Sequence, residues 1–145
     1  MWNKITSNQD IINFMELISG FHDSCIKELR YYSGAYVNKD LSMYPVNYYN
    51  SVRMIIQRQF DSLSMVELEF NDVECLRITP INKDYTCEIQ DVSLFIIENK
   101  IYWCDERISE DEIDSYKGTM ICASKLQWRE IVNCMGASEF YKPIS

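Results

Sequence analysis

Glycine and proline are scarce in this chain, with four and three among 145 residues. Disordered and linker-rich proteins contain more of both, so a folded chain is predicted. So few glycines also exclude a glycine-rich phosphate loop, and no dinucleotide-binding or nucleophile-elbow motif is present. No apolar run reaches the about 18 residues that a transmembrane helix needs, and the first residues lack the apolar core of a secretory signal. A cytoplasmic location is therefore expected.

Histidine is scarcer still, because His22 is the only one. One histidine excludes metal sites built from several histidines and leaves a single candidate base for a Ser-His-Asp or Cys-His device. The six cysteines form no C-x-x-C pair, and several lie in strand-like runs beside apolar residues. We therefore expect reduced, mostly buried thiols rather than disulfides or a zinc site. No catalytic residue, metal or cofactor is predicted.

Basic residues are in the minority, and the net charge of −8 is unevenly distributed. Residues 1–60 contain six Lys/Arg against five Asp/Glu, whereas residues 61–145 contain eight against 17. Nucleic acids and anionic membranes both attract basic surfaces, so neither is an expected partner. A protein partner with a basic surface fits this charge better.

Two helices are predicted from residue spacing. Apolar residues recur at helical intervals near the N-terminus, and Thr6, Ser7 or Asn8 can cap this amphipathic helix of about three turns. The apolar residues are Ile11, Phe14, Met15 and Ile18. Ser109 and Glu112 have the spacing of a capping box, which predicts a second, short and acidic helix ending near residue 116.

Short alternating runs of apolar and polar residues fill residues 52–103, the pattern of a sheet with one buried and one wet face. Further strands are predicted over residues 25–37 and 119–131, with a long loop at 38–50. We expect a tight turn at Asn71–Asp72 and a hairpin at residues 98–100. Sequential strands with short links pair antiparallel. The predicted fold is therefore a single α+β domain over residues 1–145, with a curved, mainly antiparallel sheet.

Acidic side chains concentrate around the predicted second helix. Their spacing does not match a calcium-binding loop. The helix dipole favours carboxylates in a first turn, so a solvated helix start explains the cluster, and a docking site for Lys/Arg of a partner is the alternative. The candidate partner-binding residues are Asp105, Glu106, Glu110, Asp111, Glu112 and Asp114, with Tyr102 and Trp103 beside them.

Tyrosine is concentrated in the first third of the chain. A tyrosine ring combines a rigid apolar body with a polar tip, which suits protein interfaces and also suits the rim of a sheet. Both interpretations remain open from the sequence. The residues concerned are Tyr31, Tyr32, Tyr36, Tyr44, Tyr48 and Tyr49.

His22 and Asp23 follow the predicted first helix and give an alternative site. Adjacent side chains point apart in an extended chain, so a helix-to-strand junction accounts for both residues. The alternative is an enzymatic or ligand-binding pocket in which His22 and Asp23 lie beside Tyr31.

Three segments resemble a group of small bacterial proteins with an FHDS-type motif, some of them associated with immunity proteins of polymorphic toxin systems. The segments are Phe21-His22-Asp23-Ser24-Cys25-Ile26-Lys27-Glu28-Leu29, Ser33-Gly34-Ala35-Tyr36-Val37 and Ile101-Tyr102-Trp103. The resemblance implies a bacterial cytoplasmic binding protein and assigns no catalytic residue. Two functional hypotheses follow: an immunity-type inhibitor that occludes a basic toxin or effector domain, and a small enzyme or ligand-binding domain built on His22 and Asp23.

Overall fold

A computed structural model describes residues 1–142. One α-helix, α1 (Asn8–Leu17), precedes two 3-10 helices, Ser19–Phe21 and Glu110–Ser115, and the latter is called the acidic helix below. The strands in chain order are β1 (Asn3–Ile5), β2 (Ser24–Tyr32), β3 (Tyr36–Val37), β4 (Met43–Tyr44), β5 (Ser51–Arg58), β6 (Met65–Arg77), β7 (Ser93–Ile97), β8 (Lys100–Cys104) and β9 (Met120–Glu130).

Seven strands form one open antiparallel sheet in the order β2-β5-β6-β9-β8-β7, with β1 pairing β9 next to β8. The remaining two strands, β3 and β4, form a separate small hairpin. Neighbours in sequence pair through β5–β6 and β7–β8, whereas β6 and β9 pair across more than 40 residues of intervening chain. The predicted α+β class with a mainly antiparallel sheet is confirmed.

Helix α1 covers one face of the sheet. The Ser7 hydroxyl caps it by accepting a hydrogen bond from the Asp10 backbone N–H at 3.1 Å. Phe14 and Ile18 point into the core, and the Phe14 ring stacks on Trp128 of β9 with centroids 4.8 Å apart. Side chains of this size contribute about 1.5–3 kcal/mol each when fully buried, so packing rather than helix propensity holds α1 in place.

The second face of the sheet is also covered, which corrects the expectation of one wet face. At one end the acidic helix places Ile113 against Cys104 and Met120. Elsewhere residues 133–142, the C-terminal segment, cross strands β2, β5 and β6. Because of this cover Glu67, at the middle of the sheet, is fully buried.

Two predicted turns had different outcomes. The hairpin at residues 98–100 is confirmed, since Glu98 and Asn99 adopt φ values of +50° and +64° between β7 and β8. The turn at Asn71–Asp72 is wrong: β6 continues to Arg77, and an irregularity between Val73 and Cys75 absorbs the break. Asp72 has a φ of +54°, yet its neighbours Asn71 and Val73 keep their register with Lys125 and Ala123, so the turn-forming residue is accommodated inside a continuous strand.

The cysteines match the expectation only in part. All six are free thiols in the structure. Cys104 and Cys122 are buried and two more are partly covered, but Cys87 and Cys134 are exposed. Both exposed cysteines lie outside the sheet, in the connection before β7 and in the C-terminal segment, where no core exists to bury them.

Candidate functional site

Residues 31–50, called the tyrosine projection below, contain about half of the large apolar side chains that are exposed among the described residues. Of the 19 large apolar side chains that are exposed among the described residues, ten lie in this stretch. A globular protein rarely concentrates apolar surface in this way unless the surface contacts something. The ten are Tyr31, Tyr32, Tyr36, Val37, Leu41, Met43, Tyr44, Val46, Tyr48 and Tyr49.

The outer part of the projection is a small hairpin. Strands β3 and β4 place Tyr36 opposite Tyr44, and their rings stack with centroids 5.3 Å apart. The Asn38 backbone N–H donates to the Ser42 carbonyl at 2.8 Å, which closes the turn. Hydrogen bonds from the Ser42 hydroxyl and backbone N–H hold the pKa of Asp40 below its usual range. The tip is therefore ordered by its own contacts.

The base of the projection is held to the sheet by tyrosine packing and backbone hydrogen bonds. The Tyr49 ring lies 5.3 Å from the Tyr32 ring, and the backbone N–H groups of Tyr49 and Asn50 both donate to the Ser33 carbonyl. The Asn50 side-chain amide donates to the Val73 carbonyl of β6 at 2.6 Å. A surface that is ordered before binding loses less conformational entropy on association, so this anchoring favours contact with a partner.

The projection is rich in tyrosine and in small polar residues and contains little charge. Its only charged residues are Lys39 and Asp40, so it carries no net charge. Tyrosine, serine, glycine and asparagine together make up 12 of its 20 residues. This composition resembles that of antibody binding loops, in which tyrosine supplies rigid contact area and small polar residues supply hydrogen bonds. The tyrosines of the projection lie outside the core, at the rim of the sheet or beyond it.

The acidic helix forms as predicted, but some of the carboxylates around it already accept hydrogen bonds within the protein. The capping box is present, with the Ser109 backbone N–H donating to the Glu112 carboxylate at 3.0 Å, and this bond lowers the pKa of Glu112. The Tyr116 hydroxyl donates to the Asp105 carboxylate. Asp105 and Glu112 therefore stabilise the helix and its connection. Asp111 also accepts a hydrogen bond, from the Ser109 hydroxyl at 2.5 Å, but it remains exposed, as do Glu106, Glu110 and Asp114.

The two aromatic residues beside this cluster lie on opposite faces of β8. Trp103 is fully buried and packs edge-on against Phe21 with centroids 6.0 Å apart. Its prediction as a partner-binding residue is therefore wrong, because neighbouring residues of a strand alternate between faces and Trp103 points into the core. Tyr102 points to the second face, where it is half-buried beside Cys122.

The alternative pocket does not form as predicted: Asp23 lines a cleft with Arg58 and Glu88, but neither His22 nor Tyr31 lines it. His22 Nδ1 lies 2.9 Å from the Asp23 carboxylate, and both side chains are about half exposed. Tyr31 lies near the opposite end of β2 from Asp23, about 25 Å away at the rise of an extended strand. Ser24 donates to the Phe21 carbonyl, so the FHDS motif builds the junction between helix and strand. The residues of this motif therefore have a structural role, which their position directly after the helix explains.

Sequence reasoning missed a polar network on the second face. Arg129 donates to Glu67 at 2.9 Å and Arg53 to Glu69 at 2.7 Å. The Trp2 ring lies over both guanidinium groups, with centroid distances of 5.6 Å to Arg53 and 4.5 Å to Arg129. Alternating charged residues in β5, β6 and β9 were the available signal, but only the strand register shows that opposite charges meet.

Within residues 1–142, no three His, Cys, Asp or Glu side chains lie close enough together to hold a metal ion. No helix in that part of the chain has the length and apolarity needed to cross a membrane.

No known protein family, curated protein or solved structure matches this chain. The tyrosine projection therefore stands as the candidate site on its own geometry and composition.

Proposed function

We propose that this chain is a non-enzymatic binding protein that covers a protein partner with its tyrosine projection, in the manner of an immunity-type inhibitor that occludes a toxin. The observation that carries the proposal is the concentration of exposed aromatic side chains on one ordered, uncharged projection. A tyrosine side chain buries on the order of 150–250 Å², and a stable interface needs about 800 Å² on each side. The six tyrosines of the projection are 40–71% exposed, so each has roughly half of that area left to bury. Together they would supply about 450–750 Å², the larger part of one side of such an interface.

The position of the exposed carboxylates favours a partner with a basic surface. The projection begins where β2 ends, at the level of Phe70 of β6. Strand β8 runs in the same direction as β2 and ends at the level of Arg77, the last residue of β6. The seven residues between these levels correspond to about 23 Å of strand. The exposed carboxylates of the acidic helix follow β8 and so lie toward the same end of the sheet. Aromatic residues would anchor the partner while the carboxylates attract its basic surface.

The test compares two variants that remove equal numbers of exposed apolar side chains. Tyr36→Ser/Tyr44→Ser/Tyr48→Ser alters the projection, and Ile81→Ser/Tyr85→Ser/Val132→Ser alters exposed sites elsewhere. Wild-type protein is used to capture a partner from the native host, and the purified partner is titrated against all three proteins. Loss of several anchors predicts binding weaker by about 100-fold or more for the projection variant, and near wild-type affinity for the control.

The inhibitor role has its own measurement. The activity of the captured partner is assayed with increasing amounts of wild-type protein, and full inhibition at a one-to-one ratio is expected, since occlusion removes the partner's site from its substrate. Equal binding by wild type and the projection variant, with both folded by circular dichroism, would place the binding surface elsewhere. Binding without loss of the partner's activity would contradict inhibition alone.

A further inference from the structure

Two cysteines lie directly opposite each other in the middle of the sheet. Cys75 of β6 and Cys122 of β9 are register partners. Opposite residues in antiparallel strands have Cα atoms about 4.5–5.5 Å apart, and a disulfide requires a Cα separation of about 4.4–6.8 Å. The next pair, Leu76 and Ile121, packs in the main core, so both cysteines point to the second face. The register therefore places the two residues in the Cα range that a disulfide requires.

The two thiols differ in access. Cys122 is buried, whereas Cys75 is partly exposed. A small oxidant from solvent thus reaches Cys75 first. Buried and reached second, Cys122 has the position of a resolving thiol.

Polar groups surround the buried thiol. Cys122 Sγ lies 3.9 Å from Glu74 Oε2, and Lys100 forms an ion pair with the same carboxylate. A hydrogen bond with Cys122 raises the pKa of Tyr102 to about 12. Burial raises the pKa of the Cys122 thiol, and the Tyr102 hydroxyl and the Lys100 charge oppose that effect. Glu74 is thus placed to accept the thiol proton when Cys122 reacts.

We propose that Cys75 and Cys122 form a reversible dithiol–disulfide pair that responds to peroxides. The Cys75 sulfur attacks a peroxide oxygen and the O–O bond breaks, which gives a sulfenic acid; with hydrogen peroxide, the departing hydroxide takes the Cys75 thiol proton and leaves as water. Cys122 then loses its proton to Glu74, and its sulfur attacks the Cys75 sulfur. The Cys75 S–O bond breaks as the S–S bond forms, and the departing hydroxide takes the proton from Glu74 to give a second water. The two sulfurs are oxidised by two electrons in total and the peroxide is reduced.

The other cysteines are placed less well for this bond. Cys104 lies on the same face, but its register partner is Met120, so it is diagonal to Cys122. Diagonal neighbours are about 7–8 Å apart at Cα, beyond the usual disulfide range. Cys25 and Cys87 lie near each other: burial raises the pKa of Cys25, the charge of Cys87 raises it further, and Ser24 bridges Ile89 between the two segments. No strand register sets these two cysteines opposite each other, and Cys134 lies in the C-terminal segment. Cys75 and Cys122 are therefore the one pair of cysteines that the sheet register places opposite each other.

The experiment treats the folded, reduced protein with hydrogen peroxide, alkylates the remaining thiols under denaturing conditions and maps linked peptides by mass spectrometry. The expected result is a Cys75–Cys122 link with loss of two hydrogens, reversed by dithiothreitol. It should persist in Cys104→Ala and Cys134→Ser. In Cys122→Ala the link is lost, and Cys75 is instead trapped as a sulfenic acid by a dimedone-type reagent.

Several results would overturn the proposal. Oxidation confined to exposed Cys87 and Cys134, with Cys75 and Cys122 still free, would do so, and so would a dominant link to Cys104. The Glu74→Gln variant tests the proton acceptor separately, because Glu74 is half exposed and its replacement leaves both thiols in place. Closure of the disulfide is expected to slow severalfold while the first reaction with peroxide is unchanged. An unchanged closure rate would remove Glu74 from the mechanism.

Discussion

Gly34 controls the shape of the tyrosine projection at the scale of a single residue. Its φ is +90°, and a Cβ atom placed there would lie 2.7 Å from the Tyr49 ring and 2.9 Å from the Tyr49 backbone nitrogen. Both the backbone conformation and the space therefore require glycine. Tyr49 in turn packs against Tyr32 and Tyr48, so a shift at this point moves three rings at once.

The Gly34→Ala variant is expected to lower both stability and partner binding. Left-handed backbone costs a non-glycine residue about 1–2 kcal/mol, and the clash with Tyr49 adds to this. The control is Gly136→Ala, since Gly136 has a φ of +104° but a Cβ there would meet no described atom within 4 Å. Urea unfolding should show the larger loss for Gly34→Ala, and only that variant should weaken binding. Equal losses in both variants would mean that strain alone, and not Tyr49, matters.

The Glu69 carboxylate is expected to make the stability of the fold sensitive to acid. Burial disfavours its charge, but hydrogen bonds from Asn71 and Gln127 and the charge of Arg53 outweigh this and lower its pKa. A carboxyl with a lower pKa in the folded state stabilises the fold above its unfolded pKa, and this contribution disappears as pH falls through the folded pKa. The Glu69→Gln variant should therefore be less stable than wild type at pH 7, by about 1–3 kcal/mol, because Arg53 loses its partner.

The same comparison at lower pH shows whether the charge of Glu69 causes the difference in stability. The stability difference between wild type and Glu69→Gln should shrink below about pH 4.5 and be smallest near pH 2–3, as measured by urea unfolding. Glu139→Gln, on the exposed C-terminal segment, should match wild type throughout. A difference that stays constant with pH would mean that Glu69 acts through shape and not through charge.

At the scale of elements, the C-terminal segment acts as a cover for the second face. The Tyr141 hydroxyl donates to buried Glu67 at 2.6 Å, and the Lys27 ammonium donates to the Gly136 carbonyl at 2.8 Å. The Arg30 guanidinium lies over the Tyr141 ring. A short stretch of irregular chain is thus held at both ends by side chains of the sheet.

The Tyr141→Phe variant tests this cover with the loss of one oxygen atom. Glu67 would lose a hydrogen bond where no water reaches it, and a buried polar group without its partner costs about 1–3 kcal/mol. Tyr85→Phe is the matched control, since Tyr85 is 75% exposed. Chemical unfolding should show a clear loss for Tyr141→Phe and none for Tyr85→Phe. Equal stability of both variants would indicate that the segment does not shield Glu67 in solution.

Elements with local signals could be predicted from the sequence, and elements that depend on distant partners could not. The spacing of Ile11, Phe14 and Ile18 was sufficient for α1, and Ser109 with Glu112 for the acidic helix. Strand β1 was missed because its three residues pair only with β9, at the other end of the chain. The turn predicted at Asn71–Asp72 failed because Asn71 pairs with Lys125 and stays in β6.

The candidate site shows the same division. The concentration of tyrosines could be read from the sequence, but their exposure could not, since it depends on whether residues 33–50 fold back onto the sheet. Tyr102 and Trp103 are adjacent in the chain, and only the register of β8 against β9 shows that Trp103 is the buried one. Spacing suggested six free carboxylates near the acidic helix, whereas Asp105, Asp111 and Glu112 accept hydrogen bonds within the protein.

At the scale of the whole molecule, the net charge of −8 predicts how a basic partner approaches. Neutralising four exposed carboxylates near the acidic helix, as in Glu106→Gln/Glu110→Gln/Asp111→Asn/Asp114→Asn, should slow association and flatten its dependence on salt. Exposed charges act over about one Debye length, about 8 Å at physiological salt, before close contacts form. Dissociation should change little because the tyrosines provide the close contacts. Stopped-flow association at several ionic strengths measures both effects.

The control for this prediction changes the same number of charges elsewhere. Asp61→Asn/Asp84→Asn/Glu88→Gln/Glu139→Gln removes four exposed carboxylates outside the acidic helix. If position matters, the control retains more of the wild-type rate and salt slope. Identical slopes for the two variants would assign the effect to overall charge, and the cluster would then be only a solvated helix start.

Strand β9 has a consequence for how the protein is made. It lies between β6 on one edge and β8 and β1 on the other, yet every other strand of the sheet precedes it in the chain. On the ribosome, β2, β5 and β6 can pair as they emerge. The facing edges of β6 and β8 have no strand to pair with until residues 120–130, which form β9, are synthesised. Such long-range pairing is associated with folding in milliseconds to seconds. A nascent chain therefore carries two open strand edges late into translation, and chaperones that bind such edges are the first proteins it is expected to meet.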